Sequence, residues 1–257
     1  MTKGFPFGNR GIKEQSGLIK KVCCSLAAFL LPKFALNFPA SLVECSMTIS
    51  WFGQSCFRLE GKDISLLFDP FSKEIGLKPP KIKDQIALVT HEHYDHNNLE
   101  GTEKETMIIR NSGEYESKGI FVQGIASFHD KMQGSERGLN TIYVIKWEEM
   151  TICHLGDLGQ EKLEDHQVDL IGAVDILIIP VGGKYTINYK EAVGVVGQIE
   201  PKIIIPMHYK VPGLNIDIES SDKFIKEMGL TPETTDKFKI SKKNLPQEET
   251  KLVVLTI

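Results

Sequence analysis

One mixed α/β domain is predicted from about residue 47 to 257, and two observations predict it. Short apolar runs of strand length recur along this whole stretch, with helical patterns inserted between some of them. No second linker, repeat period or low-complexity tract divides it.

The elements follow in order. "MTISWF" and "SCFRLE" are short strands around Gly53-Gln54 and read as a hairpin. "ISLLFDP" is a buried strand ending in Asp69-Pro70, and "KEIGLKPPKIKD" is a polar, Pro-rich loop. "QIALVT" (85–90) is a further strand. Later strands are "TMIIR", "IFVQGIASF", "LNTIYVIKW", "MTICHL", "DILIIPV" (175–181), "KIIIPM" (202–207) and "KLVVLTI" (251–257). Helices are predicted at roughly 97–104, 113–118, 160–171, 188–199 and 220–228. The fourth opens with an Asn cap and an early Glu, and Asn97-Asn98 is read as the cap of the first.

Of the 257 residues, 41% are hydrophobic and 25% charged, which suits a globular chain with a sizeable core. Charge is uneven. Residues 1–46 carry six basic residues against Glu14 and Glu44, and the remainder carries 24 basic against 32 acidic. An acidic body argues against general nucleic-acid binding, which needs a basic footprint. The five cysteines (23, 24, 45, 56 and 153) include no C-x-x-C. Cys56 and Cys153 read as small buried hydrophobes in a reducing compartment, so the expected location is cytoplasmic.

Residues 1–46 look foreign to the rest of the chain. "VCCSLAAFLL" (22–31) is too short for a bilayer span of about 20 residues. It could be a signal-peptide core, without a clean cleavage site, or an anchor, which would make the protein exported or membrane-attached. Met47 opens a well-patterned strand, so an over-extended start is the other reading.

"THEHYDHNN" (90–98) holds three of the seven histidines. Along extended chain His91, His93 and Asp95 share one face, and His96 points elsewhere unless the chain turns. That suits two adjacent metal ions, with His91 and His93 at one and Asp95 and His96 at the other, since imidazole nitrogen and carboxylate oxygen are ordinary zinc ligands. H-E-x-x-H would need histidine where Asp95 stands, so a helix-borne zincin site is excluded. Further ligands follow other strands: His129 in "ASFHD", Asp157 in "CHLGDLG" and His208 in "IIIPMHY". Gly156 and Gly159 allow a tight turn around Asp157.

H-x-H-x-D-H, a lone His, a lone Asp and a final His resemble the signature of the metallo-β-lactamase superfamily, over nearly all of 47–257. "WFGQSCF", "LLFDPF", "VTHEHYDH", "CHLGDLG", "IIPVGGKYT" and "IIIPMHY" resemble its small stand-alone metal-dependent hydrolases, the branch that includes L-ascorbate-6-phosphate lactonase. The resemblance implies a four-layer αββα sandwich. It implies His91, His93 and His129 at one metal, Asp95, His96 and His208 at the other, and Asp157 bridging, so that Asp95 and Asp157 are the catalytic carboxylates. It implies that Asp69 orients a ligand from behind. Leu158 departs from the branch, which often has Thr there. Di-iron oxygen or nitric oxide reduction is disfavoured, because that relative has Glu where this chain has His93.

Two divalent ions, zinc first and manganese or iron as alternatives, would lower the pKa of a bridging water, so that hydroxide attacks a small-molecule ester, lactone or phosphorylated metabolite. A phosphodiesterase or nuclease, or a non-catalytic metal-binding scaffold, are the alternatives. No G-x-S-x-G nucleophile elbow occurs. Lys184, Tyr185 and Thr186 are candidate substrate contacts, with an exposed solubilising lysine as the other reading of Lys184. The loop 129–140 reads either as a mobile lid, with Lys131, Met132 and Arg137 on substrate, or as a plain connection. His154 reads as a support behind the ligands, a substrate-facing group or a satisfied structural histidine. His166 sits in a charged helical stretch and is expected in solvent.

Overall fold

The computed structural model describes residues 46–257, so the readings of the 22–31 segment, of three cysteines and of the extension lie outside the described residues. Fourteen strands run in order: β1 (Met47–Trp51), β2 (Phe57–Glu60), β3 (Ser65–Phe68), β4 (Ile86–Leu88), β5 (Met107–Ile109), β6 (Gly113–Ser117), β7 (Ile120–Phe128), β8 (Leu139–Trp147), β9 (Met150–His154), β10 (Ile176–Pro180), β11 (Ile203–Met207), β12 (Glu233–Thr235), β13 (Lys237–Ile240) and β14 (Lys251–Leu255). Three helices join them: α1 (Asp165–Ile171), α2 (Tyr189–Ile199) and α3 (Asp222–Met228).

The strands form two sheets, one of six in the order β13-β1-β2-β3-β4-β5 and one of eight in the order β12-β14-β11-β10-β9-β8-β7-β6. Their apolar inner faces share one core. β10 and β11 are buried at every position and pair in parallel, as strands covered on both faces do. Tyr143 of β8 ties the sheets together, its hydroxyl donating to the Val89 carbonyl at 3.0 Å. Alternation in β3 sends Leu66 and Phe68 into this core and Leu67 to the opposite face. There Leu67 meets Phe71, Ile75, Leu77, Leu214 and Ile218. The sandwich is therefore the expected one, but a 3-10 turn (Lys73–Ile75) and loops cover the outer face of the six-stranded sheet, while all three α-helices precede or follow strands of the eight-stranded one.

α2 forms as predicted. Asn188 Oδ1 accepts from the backbone of Lys190 and Glu191 at 2.9 and 3.2 Å, and Glu191 reciprocates to the Asn188 N–H at 2.9 Å. Four helix expectations need correction. Residues 97–104 are turns. Asn98 donates to the Phe71 carbonyl and accepts from the Glu100 N–H, so it ties down a loop and caps no helix. Residues 113–118 lie mostly in β6, because β7 offers a long edge and Lys118-Gly119, both at positive φ (53° and 78°), make the two-residue hairpin turn. The 160–171 helix starts only at Asp165, after a capping box between Glu164 and Gln167. The 220–228 helix runs from Asp222 to Met228. β12 and β13 lie in a stretch where no strand is predicted, although Phe238 and Ile240 alternate with exposed lysines in β13.

Candidate metal centre

β3, β4, β7, β9 and β11 all release their chains toward one place. β3 and β4 pair in parallel with Phe68 opposite Leu88, so Asp69 and Thr90-His91 emerge together. His129 follows β7, Asp157 follows β9 and His208 follows β11. After His93 the chain turns, the His96 N–H donating to the His93 carbonyl at 3.0 Å, and this brings His96 inward.

One carboxylate oxygen stands at the centre. Asp157 Oδ2 lies 3.0 Å from His208 Nε2, 3.3 Å from His96 Nε2, 3.6 Å from His129 Nε2 and 3.9 Å from His91 Nε2. Asp95 Oδ2 lies 3.4 Å from His96 Nε2. Three groups have ligand atoms close enough to share an ion: His91, His93 and His129; His91, His96 and Asp157; and Asp95, His96 and His208. All seven predicted residues come together. His91 belongs to two groups, which the extended-chain reading did not foresee.

The supports set the tautomers. Asp69 is fully buried with φ 43°. Its carboxylate accepts from the Thr90 N–H at 2.8 Å, from Thr90 Oγ1 at 2.7 Å and from His96 Nδ1 at 3.1 Å. Because Thr90 Oγ1 spends its proton on Asp69, it accepts from His91 Nδ1 at 3.0 Å. Both rings therefore present Nε2 as a lone pair, and both Nε2 atoms are buried without a hydrogen-bond partner. Orphaned buried nitrogens around a carboxylate suit a divalent cation, and the donor set is that of zinc, with manganese and iron tolerated. His129 Nδ1 and His208 Nδ1 are also buried and unbonded. His208 holds a left-handed φ of 51°, a conformation uncommon for a non-glycine residue.

Charge favours a cation here. Burial opposes protonation of His96, yet Asp157 and Asp95 overcome it and raise its pKa well above the ordinary value. Burial pushes the Asp157 carboxyl up, and His208 and His96 outweigh it and hold it well below the usual range. Burial lowers His91 and His129.

Several supports escaped the sequence reading. Gln54, fully buried in the β1–β2 turn, donates from Nε2 to Asp95 Oδ2 at 2.9 Å and lies 3.3 Å from His208 Nε2. Ser55 Oγ donates to Asp157 Oδ1 at 2.9 Å. Asn140 Oδ1 accepts the Asp157 N–H at 2.9 Å, and Gly156 (φ 57°) leaves room for that contact, since a Cβ there would lie 2.3 Å from Asn140 Oδ1. Gly159 likewise lets its loop pass the His129 backbone, which a Cβ would meet at 2.2 Å. "WFGQSCF" carried the signal for Gln54 and Ser55, but their partners lie 41 and 102 residues away.

His154 touches none of the seven. Its Nε2 bonds the Ser55 carbonyl at 2.9 Å, its Nδ1 accepts from the Gly156 N–H at 3.1 Å, and its ring stacks on Phe68 with centroids 4.3 Å apart. It is a satisfied core histidine that steadies Ser55, one step behind Asp157. His166 is exposed beside Glu164. Leu158 is packed in the core.

A cavity of about 520 Å³ opens over the cluster, with Tyr94, Asp95, Asp157, Tyr185 and His208 among its walls. Tyr185 is there as expected; Lys184 and Thr186 are not. The turn closed by the Tyr185 N–H on the Gly183 carbonyl sends neighbouring side chains apart. Lys184 pairs with Asp217 in solvent, and Thr186 is buried with its hydroxyl on the Ile187 carbonyl. In the 129–140 loop only Arg137 of the three expected residues reaches the cavity. Met132 is exposed, and Lys131 pairs with Glu161 and Glu191.

That loop is built around Asp130. Its buried carboxylate accepts from the backbone of Met132, Gly134, Glu136 and Arg137 at 2.7 to 3.0 Å. Burial raises the Asp130 carboxyl, and the four donors together override it and hold its pKa below 3.8. Asp130→Ala is expected to cost about 2 kcal/mol, because four part-buried backbone donors lose one charged acceptor. Its stability contribution is complete above the unfolded carboxyl pKa and fades as pH falls through the lower folded value. Urea titrations of wild type and Asp130→Ala should therefore converge at acid pH; a gap that stays constant refutes this role.

The pattern described as "Beta-lactamase superfamily domain" matches residues 48–208. A UPF0173 metal-dependent hydrolase of Archaeoglobus fulgidus is 30% identical over 73% of this chain and 94% of its own. One from Pyrococcus horikoshii is 27% identical over 69% of this chain and 91% of its own. A solved Thermotoga maritima structure, classed among the Zn-dependent hydrolases of the metallo-beta-lactamase superfamily, superposes with a TM-score of 0.68 at 33% identity, covering 81% of this chain and 98% of that one.

Proposed function

The chain belongs to the β-lactamase superfamily, and from that premise we propose that it is a metal-dependent hydrolase with two divalent ions, acting on a small-molecule ester, lactone or phosphorylated metabolite. The observation that carries this reading is Asp157 Oδ2 amid four imidazole nitrogens, two of them on rings tethered through Nδ1 and orphaned at Nε2.

His91, His93 and His129 would hold one ion, Asp95, His96 and His208 the other, and Asp157 both. Divalent ions held there would supply a water ligand with its pKa lowered toward neutrality and would polarise the scissile group. The chain's own residues fix the geometry. Asp69 and Thr90 lock His96 and His91 in the required tautomer. Ser55 holds Asp157 by its outer oxygen and leaves Oδ2 for the centre. Gln54 holds Asp95. Such preorganisation spares the site reorientation as charge develops.

A cavity of about 520 Å³ lies within the range of small-molecule sites, which supports a metabolite over a polymer. The excess of acidic residues in the body weighs against a nuclease on the same scaffold. No helix among the described residues is long and apolar enough to cross a membrane. The buried free thiols of Cys56 and Cys153 support a cytoplasmic setting.

The test is turnover by the purified chain on lactone, ester, thioester and phosphodiester panels, with and without chelator. Chelator-sensitive hydrolysis of small molecules supports the proposal. Activity confined to nucleic acid favours the nuclease reading, and full metal occupancy without turnover favours a non-catalytic scaffold.

A further inference from the structure

We infer that Arg137 binds a negative charge on the substrate, which makes the substrate class small anionic esters or lactones; this rests on the hydrolase reading above. Among the described residues lining the 520 Å³ cavity, Arg137 is the one Lys or Arg. It also lines an adjoining space of about 370 Å³ together with His93, so it stands beside the metal cluster.

Its position is fixed from within the chain. The loop leaves the sheet at His129, whose N–H donates to the Gly138 carbonyl at 3.1 Å and closes the loop at its base. Asp130 Oδ2 then accepts the Arg137 N–H at 2.8 Å. The guanidinium carbon lies over the Tyr185 ring, 5.6 Å from its centroid and within cation–π reach. The Asp130 carboxylate thus fixes the Arg137 backbone, and the Gly138 carbonyl beside it holds His129.

Other cations nearby are committed: Lys131 to Glu161 and Glu191, Lys184 to Asp217. The Arg137 ion pair is with Glu136 at 3.5 Å, and the Glu136 side chain is 61% exposed. An exposed pair of that kind is worth little and yields readily to a ligand. Of the acidic wall residues, Asp217 is paired with Lys184 and Glu74 is exposed to solvent, so both are screened from an anionic ligand. Tyr94, Ile75 and Ile216 supply apolar surface for an uncharged body.

The test titrates the metal-loaded full chain calorimetrically with two amides of nearly equal shape that resist hydrolysis, glutaramate (one negative charge) and glutaramide (neutral). Glutaramate is expected to bind about tenfold tighter. Arg137→Gln should remove that preference and Arg137→Lys should keep part of it, both with wild-type metal content by elemental analysis. A preference that survives in Arg137→Gln, as it would if the carboxylate sat on the ions alone, overturns the inference. So does equal affinity for the two probes in the wild-type chain, including no binding of either. Failure of the hydrolase reading shows separately, as missing metal or missing turnover on the panels.

Discussion

Asp157→Ala is expected to lower turnover by at least about 10³-fold and to reduce bound metal. Three arguments set the size. Asp157 Oδ2 lies within 3.9 Å of four imidazole nitrogens, so no other side chain can serve both proposed ions. Asp157 is buried and approached by Ser55 Oγ on its other oxygen, so water cannot replace it in the same place. Its charge offsets one of the four positive charges that two divalent ions would bring. The variant should still fold. The Asp157 and Asp95 carboxylates are what raise the His96 pKa, so loss of one removes the pull toward a charged ring and leaves no buried charge unpaired. Circular dichroism of the metal-free proteins is expected to match. Unchanged turnover in the variant would sink the proposed centre.

Metal removal is expected to have the second large effect. A chelator should reduce turnover to background and lower the melting temperature by roughly 10 °C. At a free metal concentration about 1,000 times the dissociation constant, binding stabilises the native state by about 4 kcal/mol, and a domain of this size shifts by roughly 2–4 °C per kcal/mol. The ligands come from four strand ends in both sheets, so the ions would link parts of the chain that are far apart in sequence. Turnover should return on adding zinc, manganese or iron, and the metal that restores most identifies the working ion. A melting temperature indifferent to chelator and to added metal would show that the cluster holds no ion.

The seven candidate ligands were legible because each follows an apolar run that reads as a strand, and the ends of β4, β7, β9 and β11 in the two sheets meet at one rim. The turn at His93–His96 was not, since period-two alternation describes only extended chain. The roles of Gln54, Ser55 and Asn140 come from hydrogen bonds to groups reached only through the fold. Lys184 and Thr186 look like rim residues by proximity to Tyr185, but a tight turn points three adjacent side chains in different directions. The misread helix at 113–118 shows sheet pairing overriding local preference: Glu114 and Glu116 are poor strand residues, yet they pair with Gln123 and Phe121 of β7. Asn188 and Glu191 were read correctly because a helix cap is local chemistry.

The central claim is a two-ion centre shared by Asp157, and metal stoichiometry by elemental analysis, on the wild-type chain and on Asp157→Ala, tests it most directly. The account predicts about two divalent ions per wild-type chain and fewer than one in the variant. A wild-type chain that retains no stoichiometric metal after loading, or a variant that still binds two ions, contradicts it.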